Sequence, residues 1–246
     1  MKIAGIDPSI KSTGKVIMDL DDDTLDVRGI RFYGYTTIAK YAISVDNMEI
    51  AHIAPASDYV AMSMPERQEL AYAIIAKDMG DVSYVGMEDY ATSKANKGSG
   101  SILQVAEFCG GIRYMLYGMG IGVVNYGILQ IKKYATGYGG GTDKTPMCLA
   151  FKDSFPELYP ENAFSGLKQF ESPMADLCDA FWMCEILRQH LKFEKFGPEA
   201  MDTDKLALLT TTTMAGACSL VDSPLVMKGV PYERKKRKTH KKSKKA

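Results

Sequence analysis

Ser172-Pro-Met-Ala-Asp-Leu-Cys-Asp-Ala-Phe-Trp-Met183 is the stretch on which the reading of this chain turns. Ser172 suits an N-cap and Pro173 the first helical position, so a helix is expected to begin here and run through Glu185, Leu187 and Leu191. Asp176 and Asp179, three apart, then share one face within its first two turns. Acids in a first turn also complement the helix dipole, so the pair alone does not separate surface decoration from chemistry. The rest of the chain has to decide.

Working outward, two more carboxylates appear in a common setting. Lys2-Ile-Ala-Gly-Ile-Asp7 is a short apolar run ending in an acid, followed by the turn cluster Pro8-Ser-Ile-Lys-Ser-Thr-Gly14 and the apolar Val16-Ile-Met18. This predicts strand, tight turn and partner strand, with Asp7 at a strand end, although an Asp before Pro is also a common turn former. Val82-Ser-Tyr-Val-Gly-Met-Glu88 repeats the device, making Glu88 a second strand-end acid. A further strand is expected over 30–37, a helix over 65–77 with Leu70, Ala73, Ile74 and Lys77 at helical spacing, and a strand over 121–126. Residues 101–117 predict a helix whose stripe Ile102, Val105, Ala106, Cys109, Ile112 and Leu116 faces the core. Residues 39–64 hint at one or two strands and suggest no function.

Two loops carry charge of the opposite sign. Residues 89–100 form a polar, glycine-containing stretch with Lys94, Lys97 and one aromatic, Tyr90, which suits a backbone phosphate and a stacked base, or else an ordinary solvated connection. A short helix over 128–134 bears Lys132 and Lys133. After it, Ala135-Thr-Gly-Tyr-Gly-Gly-Gly-Thr-Asp-Lys144 places glycines before a helix expected to be capped by Thr142, with Lys144 in its first turn. A glycine loop opening a helix with a Lys at its start can receive a phosphate, although the Walker order of Gly-Lys-Ser/Thr is absent.

The totals narrow the class. With 246 residues, 46% hydrophobic and 24% charged, one large domain with an appendage is expected. No apolar run approaches the roughly 20 residues of a membrane span and no secretory signal opens the chain, which points to a soluble, unexported protein with no membrane partner. Five scattered cysteines without a Cys-x-x-Cys spacing argue against a disulfide framework and a thiolate zinc site. The zero net charge hides a division, because 234–246 holds nine of the thirty basic residues and none of the thirty acids. That leaves +9 on a tail and −9 on a body. Arg234, Lys235, Lys236, Arg237 and Lys238 open this arm, which is expected to be disordered and to seek nucleic acid, or to serve as a solubilising terminus or nuclear-import signal.

Asp7, Glu88, Asp176 and Asp179 thus stand at strand ends or a helix start. Hard oxygen ligands without Cys or His select Mg²⁺ or Mn²⁺, and two such ions per site are the arrangement used in phosphodiester hydrolysis, with Lys144 offsetting transition-state charge. Gly5-Ile-Asp-Pro-Ser-Ile-Lys-Ser-Thr-Gly14, the strand-end Glu88 followed by an aromatic, Gln130-Ile-Lys-Lys through Lys144, and Met174-Ala-Asp-Leu-Cys-Asp-Ala180 resemble, in this order, the RuvC-type Holliday junction resolvases over roughly residues 1–193.

The resemblance implies an α/β, ribonuclease H-like fold with a mixed five-stranded sheet flanked by helices, and a homodimer acting on four-way or other branched DNA. It further implies Asp7, Glu88, Asp176 and Asp179 as metal ligands, Lys144 near the scissile phosphate, Lys133 on the DNA backbone and Tyr90 near the junction centre. The domain division that follows is a nuclease domain over 1–193, a C-terminal extension over 194–233 and a disordered basic tail over 234–246. The length of 19–64 and the extension depart from a minimal member and suggest a viral or phage enzyme, acting in a bacterial cytoplasm or infected host, or in a nucleus if eukaryotic. An actin-like or sugar-kinase-type ATPase shares the opening Asp but needs a second strand-turn phosphate motif, which this sequence lacks. A non-catalytic DNA-binding adaptor on the same fold is the other rival.

Overall fold

β1 (Lys2–Asp7), β2 (Gly14–Leu20) and β3 (Val27–Thr36) form an antiparallel meander. β4 (Ile43–Val45) and β5 (Met48–His52) extend it beyond β3, and β6 (Val82–Glu88) and β7 (Gly122–Tyr126) add parallel strands on the other side of β1. The sheet order is β4-β5-β3-β2-β1-β6-β7 in this computed structural model, which describes residues 1–88, 100–141, 143–201 and 204–205. Five of its strands, in the order β3-β2-β1-β6-β7 with the first three antiparallel and the last two parallel to β1, are the ribonuclease H-like arrangement. The sheet has seven strands where five were expected, because 39–64 supplies a short hairpin whose Met48 and Ile50 are buried while Glu49 and Ala51 are not. The one or two strands hinted at in 39–64 are β4 and β5.

Alternate residues of the central strands feed two cores. Ile3, Val16, Met18 and Phe32 pack with α4 (Ile128–Thr136), α5 (Thr145–Ser154) and α7 (Met174–Phe196), whereas Ala4, Ile6, Ile17 and Tyr33 pack with α2 (Met64–Ala76) and α3 (Gly100–Gly118). A sheet covered on both faces explains the nearly continuous apolar runs of β1 and β6. Two short helices, α1 (Ala56–Ala61) and α6 (Glu161–Phe164), complete the described fold. Among the described residues no helix is long and apolar enough to cross a membrane.

Two helical faces differ from expectation. α2 buries Gln68, Ala71 and Ile75, one step around from the anticipated Leu70–Lys77 face, because Lys77 turns outward to pair with Glu49 at 2.6 Å. On α3, Phe108, Cys109, Ile112 and Leu116 are buried, but Val105 is 42% exposed. From Leu103 onward, burial starts where Tyr72 of α2 stacks on Phe108, with ring centroids 5.4 Å apart.

α2 is terminated by an unusual partner. Lys15 of β2 is buried, and its Nζ donates to the carbonyls of Ile74 (3.1 Å), Ile75 (3.1 Å) and Lys77 (2.5 Å). The Ile75 and Lys77 carbonyls lie at the end of the helix, where a carbonyl lacks an intrahelical partner, and that of Ile74 also accepts from the Lys77 N–H at 3.3 Å. Burial pushes the Lys15 pKa down to about 7, against the opposing pull of Asp78. Lys15→Met, which keeps the length and loses all three donors, is expected to destabilise the fold by about 2–3 kcal/mol in denaturant titration. An unchanged unfolding midpoint would show that water replaces the amine at no cost.

α7 is the central element. Between Met174 and Leu191 nearly every side chain is buried, as expected of a helix enclosed on all sides. It lies against β1, β2 and β6 at backbone contact, made possible by glycines. A Cβ at Gly14 would fall 2.2 Å from the Asp176 carbonyl oxygen, at Gly5 2.0 Å from that of Ala180, and at Gly86 2.6 Å from that of Met183. Gly5 and Gly86 are cross-strand partners and each stands two residues before its strand-end acid. With the strand period of two, each glycine shares a face with the acid that follows it. The helix therefore rests on bare backbone next to the position where the carboxylates emerge.

Candidate active site

Parallel pairing puts Ile6 beside Met87, so Asp7 and Glu88 end neighbouring strands at the same edge of the sheet. α7 brings Asp176 and Asp179 to that edge from above. The helix begins one residue later than Ser172 implies, with Pro173 at the cap position, and Asp176 remains in the first turn, seated on Gly14. Gly14 is itself the ladder partner of Asp7, so one residue fixes the spacing of the two acids.

Lys144 comes from the opposite wall. It occupies the cap position of α5, two residues beyond the expected cap Thr142, because Pro146 sets the start of the helix and Asp143 Oδ1 accepts from the Thr145 N–H at 2.9 Å. With that N–H satisfied by Asp143, the Lys144 side chain is free to turn inward. α5 is locked to α7 by Phe151 stacked on Phe181 at 3.6 Å and by Trp182 Nε1 donating to the Met147 carbonyl at 2.9 Å. The ammonium consequently lies 2.8 Å from Asp176 Oδ1, 2.8 Å from Asp179 and 3.5 Å from Asp7.

The electrostatics follow from that convergence. Burial raises the Asp7 pKa well above the usual carboxylate range; Lys144 opposes this, and Asp179, Asp176 and Glu88 reinforce it. Asp179 is raised by burial too, with Lys144 again opposing. Burial works against the charge on Lys144, but Asp7, Asp179 and Asp176 outweigh it and hold the ammonium protonated. Asp176 is 3% exposed, and its Oδ2 has no hydrogen-bond partner among the described residues.

An orphaned buried carboxylate oxygen beside two desolvated acids is a cation-seeking arrangement of hard donors. Among the described residues no three Asp, Glu, His or Cys side chains already form a metal-ligand set; the ammonium stands between them. The donor chemistry fits Mg²⁺ or Mn²⁺, with Lys144 as the present counter-charge.

The acids open onto a cavity of about 260 Å³ whose lining includes Asp7, Glu88, Asp179, Lys132 and Lys144 on one side and Ile128, Ile131, Met147 and Met183 on the other. Lys132 donates to the Gly141 carbonyl at 2.6 Å, tying the glycine loop to α4, and Lys133 projects into solvent from the same helix. Arg113 of α3 donates to the Glu88 carbonyl at 3.3 Å and to Asn125 at 3.0 Å, bracing the end of β6. Neither Arg113 nor the apolar wall was legible in the sequence, since each contact joins elements distant in the chain. The paired Gly-x-acid spacing of Gly5/Asp7 and Gly86/Glu88 was the available signal for the close approach of α7. Tyr90, Lys94, Lys97, Thr142 and the basic residues from Arg234 to Lys238 lie outside the described residues.

Fold and site together define a ribonuclease H-like α/β protein with an acidic cluster, counterbalanced by one lysine, at the strand-end edge of its sheet. The chain matches no known family model and no curated protein by sequence. Among solved structures it is similar to RuvC of Thermus thermophilus, at 17% identity and a TM-score of 0.47, covering 80% of this chain and 97% of that one. The same protein in complex with a Holliday junction substrate matches at 15% identity, a TM-score of 0.47 and the same coverage.

Proposed function

We propose that this protein is a metal-dependent endonuclease that nicks four-way junctions or other branched DNA. The observation that carries the reading is the convergence of Asp7, Asp176 and Asp179, from a strand and a helix, within 3.5 Å of one lysine ammonium beside an open cavity. Asp7, Glu88, Asp176 and Asp179 would hold two Mg²⁺ or Mn²⁺ ions, which when bound supply charge stabilisation to the attacking and leaving oxygens of a phosphodiester.

Lys144, fixed at the start of α5, faces the scissile phosphate and offsets its added negative charge. Lys132 and Lys133 lie along α4 to take the adjoining DNA backbone, with Tyr90, Lys94 and Lys97 assigned to the junction side. The wall of Ile128, Ile131, Met147 and Met183 lowers the polarity on one side of the acids, which strengthens the charge interactions there.

Two partners belong to the same reading. α3 exposes Leu103, Tyr114 and Tyr117, an apolar surface that supports a homodimer, and a monomeric mass by sedimentation at micromolar concentration would remove it. The arm from Arg234 to Ala246 adds phosphate contacts without sequence preference. Its deletion is expected to flatten the salt dependence of DNA binding and to leave junction preference unchanged; an unchanged slope would assign the arm another role.

The deciding experiment incubates purified protein with a synthetic four-way junction and Mg²⁺ or Mn²⁺, reading nicks on a denaturing gel. Binding without cleavage under either metal would favour an adaptor, and ATP turnover without DNA would favour an actin-like ATPase.

A further inference from the structure

The segment from β4 to α1, which enlarges the sheet, also reaches the active-site turn. From β5 the chain passes through Ile53, whose N–H donates to the Thr36 carbonyl at 3.2 Å, into the six-residue α1. Only one side chain of α1 is buried, Tyr59, and its hydroxyl donates to the carbonyl of Ile10. Arg67 of α2 fixes the ring from outside, its guanidinium 5.0 Å over Tyr59 while donating to the Val60 carbonyl at 2.6 Å.

Ile10 sits in the middle of the Pro8–Thr13 turn, which leaves β1 directly after Asp7. The turn has few ties of its own. Thr13 Oγ1 lies 2.7 Å from the Ser9 carbonyl and accepts from the Ser9 N–H at 3.2 Å. The fully buried Tyr35 of β3 places its hydroxyl against the Ser9 carbonyl and 3.0 Å from that of Ile10. Two tyrosines from different elements thus reach one carbonyl three residues beyond Asp7. The β1–β2 ladder sets the spacing of Asp7 from Gly14 and hence from Asp176, and the turn that follows Asp7 sets how firmly that strand end is held.

We propose that Tyr59 is a positioning residue for Asp7: its hydroxyl, delivered by the 43–61 segment, pins the Pro8–Thr13 turn and so fixes the strand-end carboxylate relative to the helix-borne pair. This rests on the nuclease reading above and gives the segment a role there.

Tyr59→Phe tests this, because it keeps the ring and the Arg67 contact and removes only the hydroxyl. In metal-free protein, amide exchange at Ile10–Thr13 is expected to quicken about tenfold while β7 is unaffected. Junction-cleavage turnover should fall about five- to tenfold with KM within about twofold, the pattern of a misplaced reacting group and not of weakened binding. Unchanged exchange at the turn, equal acceleration in β7, or wild-type turnover would each overturn the proposal. A wild-type protein that cuts no junction would defeat the nuclease reading, and the exchange measurement would still decide whether the hydroxyl pins the turn.

Discussion

Asp176→Asn is expected to lower junction cleavage by at least about 10²–10³-fold in Mg²⁺ while leaving junction binding within about threefold. The substitution is isosteric, so α7 keeps its seat on Gly14, and the lysines proposed to bind DNA lie elsewhere. What changes is the donor set. One oxygen of Asp176 already meets Lys144 at 2.8 Å and the other is buried without a partner among the described residues; an amide removes the charge and presents N–H groups to a cation.

The companion change Asp7→Asn should abolish cleavage as well, but with an opposite signature in stability. The folded-state pKa of Asp7 is raised, so between the unfolded value near 4 and the raised one the native state binds more protons than the unfolded state. Stability then falls as pH rises through that window, and the deficit persists at neutral pH. An uncharged Asn escapes it. Thermal melts of metal-free protein from pH 4 to pH 7 should show wild type losing more stability than Asp7→Asn; parallel curves would mean that Lys144 fully compensates the burial of Asp7.

Lys144→Met is expected to have the largest effect on the metal-free protein. It leaves Asp7, Asp176 and Asp179 together without their cation, and breaking a fully buried pair costs about 3–5 kcal/mol. The ammonium side chain is 40% exposed, so solvent screens part of this and about 2–3 kcal/mol is the expected loss. The raised pKa of Lys144 gives stability that is fully present below its unfolded value near 10.5 and lost as pH rises through the folded one. On the acid side the deficit of the variant should shrink as Asp7 and Asp179 take up protons. Millimolar Mg²⁺ should raise the melting temperature of Lys144→Met more than that of wild type, because the ion supplies the missing charge. Equal shifts in the two proteins would show that ion and ammonium do not share a location.

The two results bear on one property of the site. Its carboxylates are held close by a lysine that satisfies only part of their charge, so the apo protein carries a standing electrostatic cost beside a cavity open to a phosphate. Asp176→Asn and Lys144→Met change that balance in opposite directions, and the combined variant should lie nearer wild-type stability than Lys144→Met alone.

The amino-acid sequence by itself determined the acids and their settings. Apolar runs that stop at Asp7 and Glu88, and a helix opening around Pro173 with Asp176 and Asp179 on one face, are local patterns set by strand and helix periods. β1, β2, β3, β6 and β7 and the helices that cover them were legible for the same reason.

Only the tertiary structure decided how these parts meet. The glycine loop and the family resemblance put Lys144 near the reacting phosphate, but its direct contact with Asp176, 32 residues on, is set by the stacking of Phe151 on Phe181 and the Trp182 hydrogen bond. The face buried by α2, the addition of β4 and β5, the capping of α2 by Lys15 and the reach of Tyr59 to Ile10 are likewise contacts between distant segments. Periodicity reports which side of an element is apolar, whereas the neighbour that covers it, and the charge it brings, are set by packing.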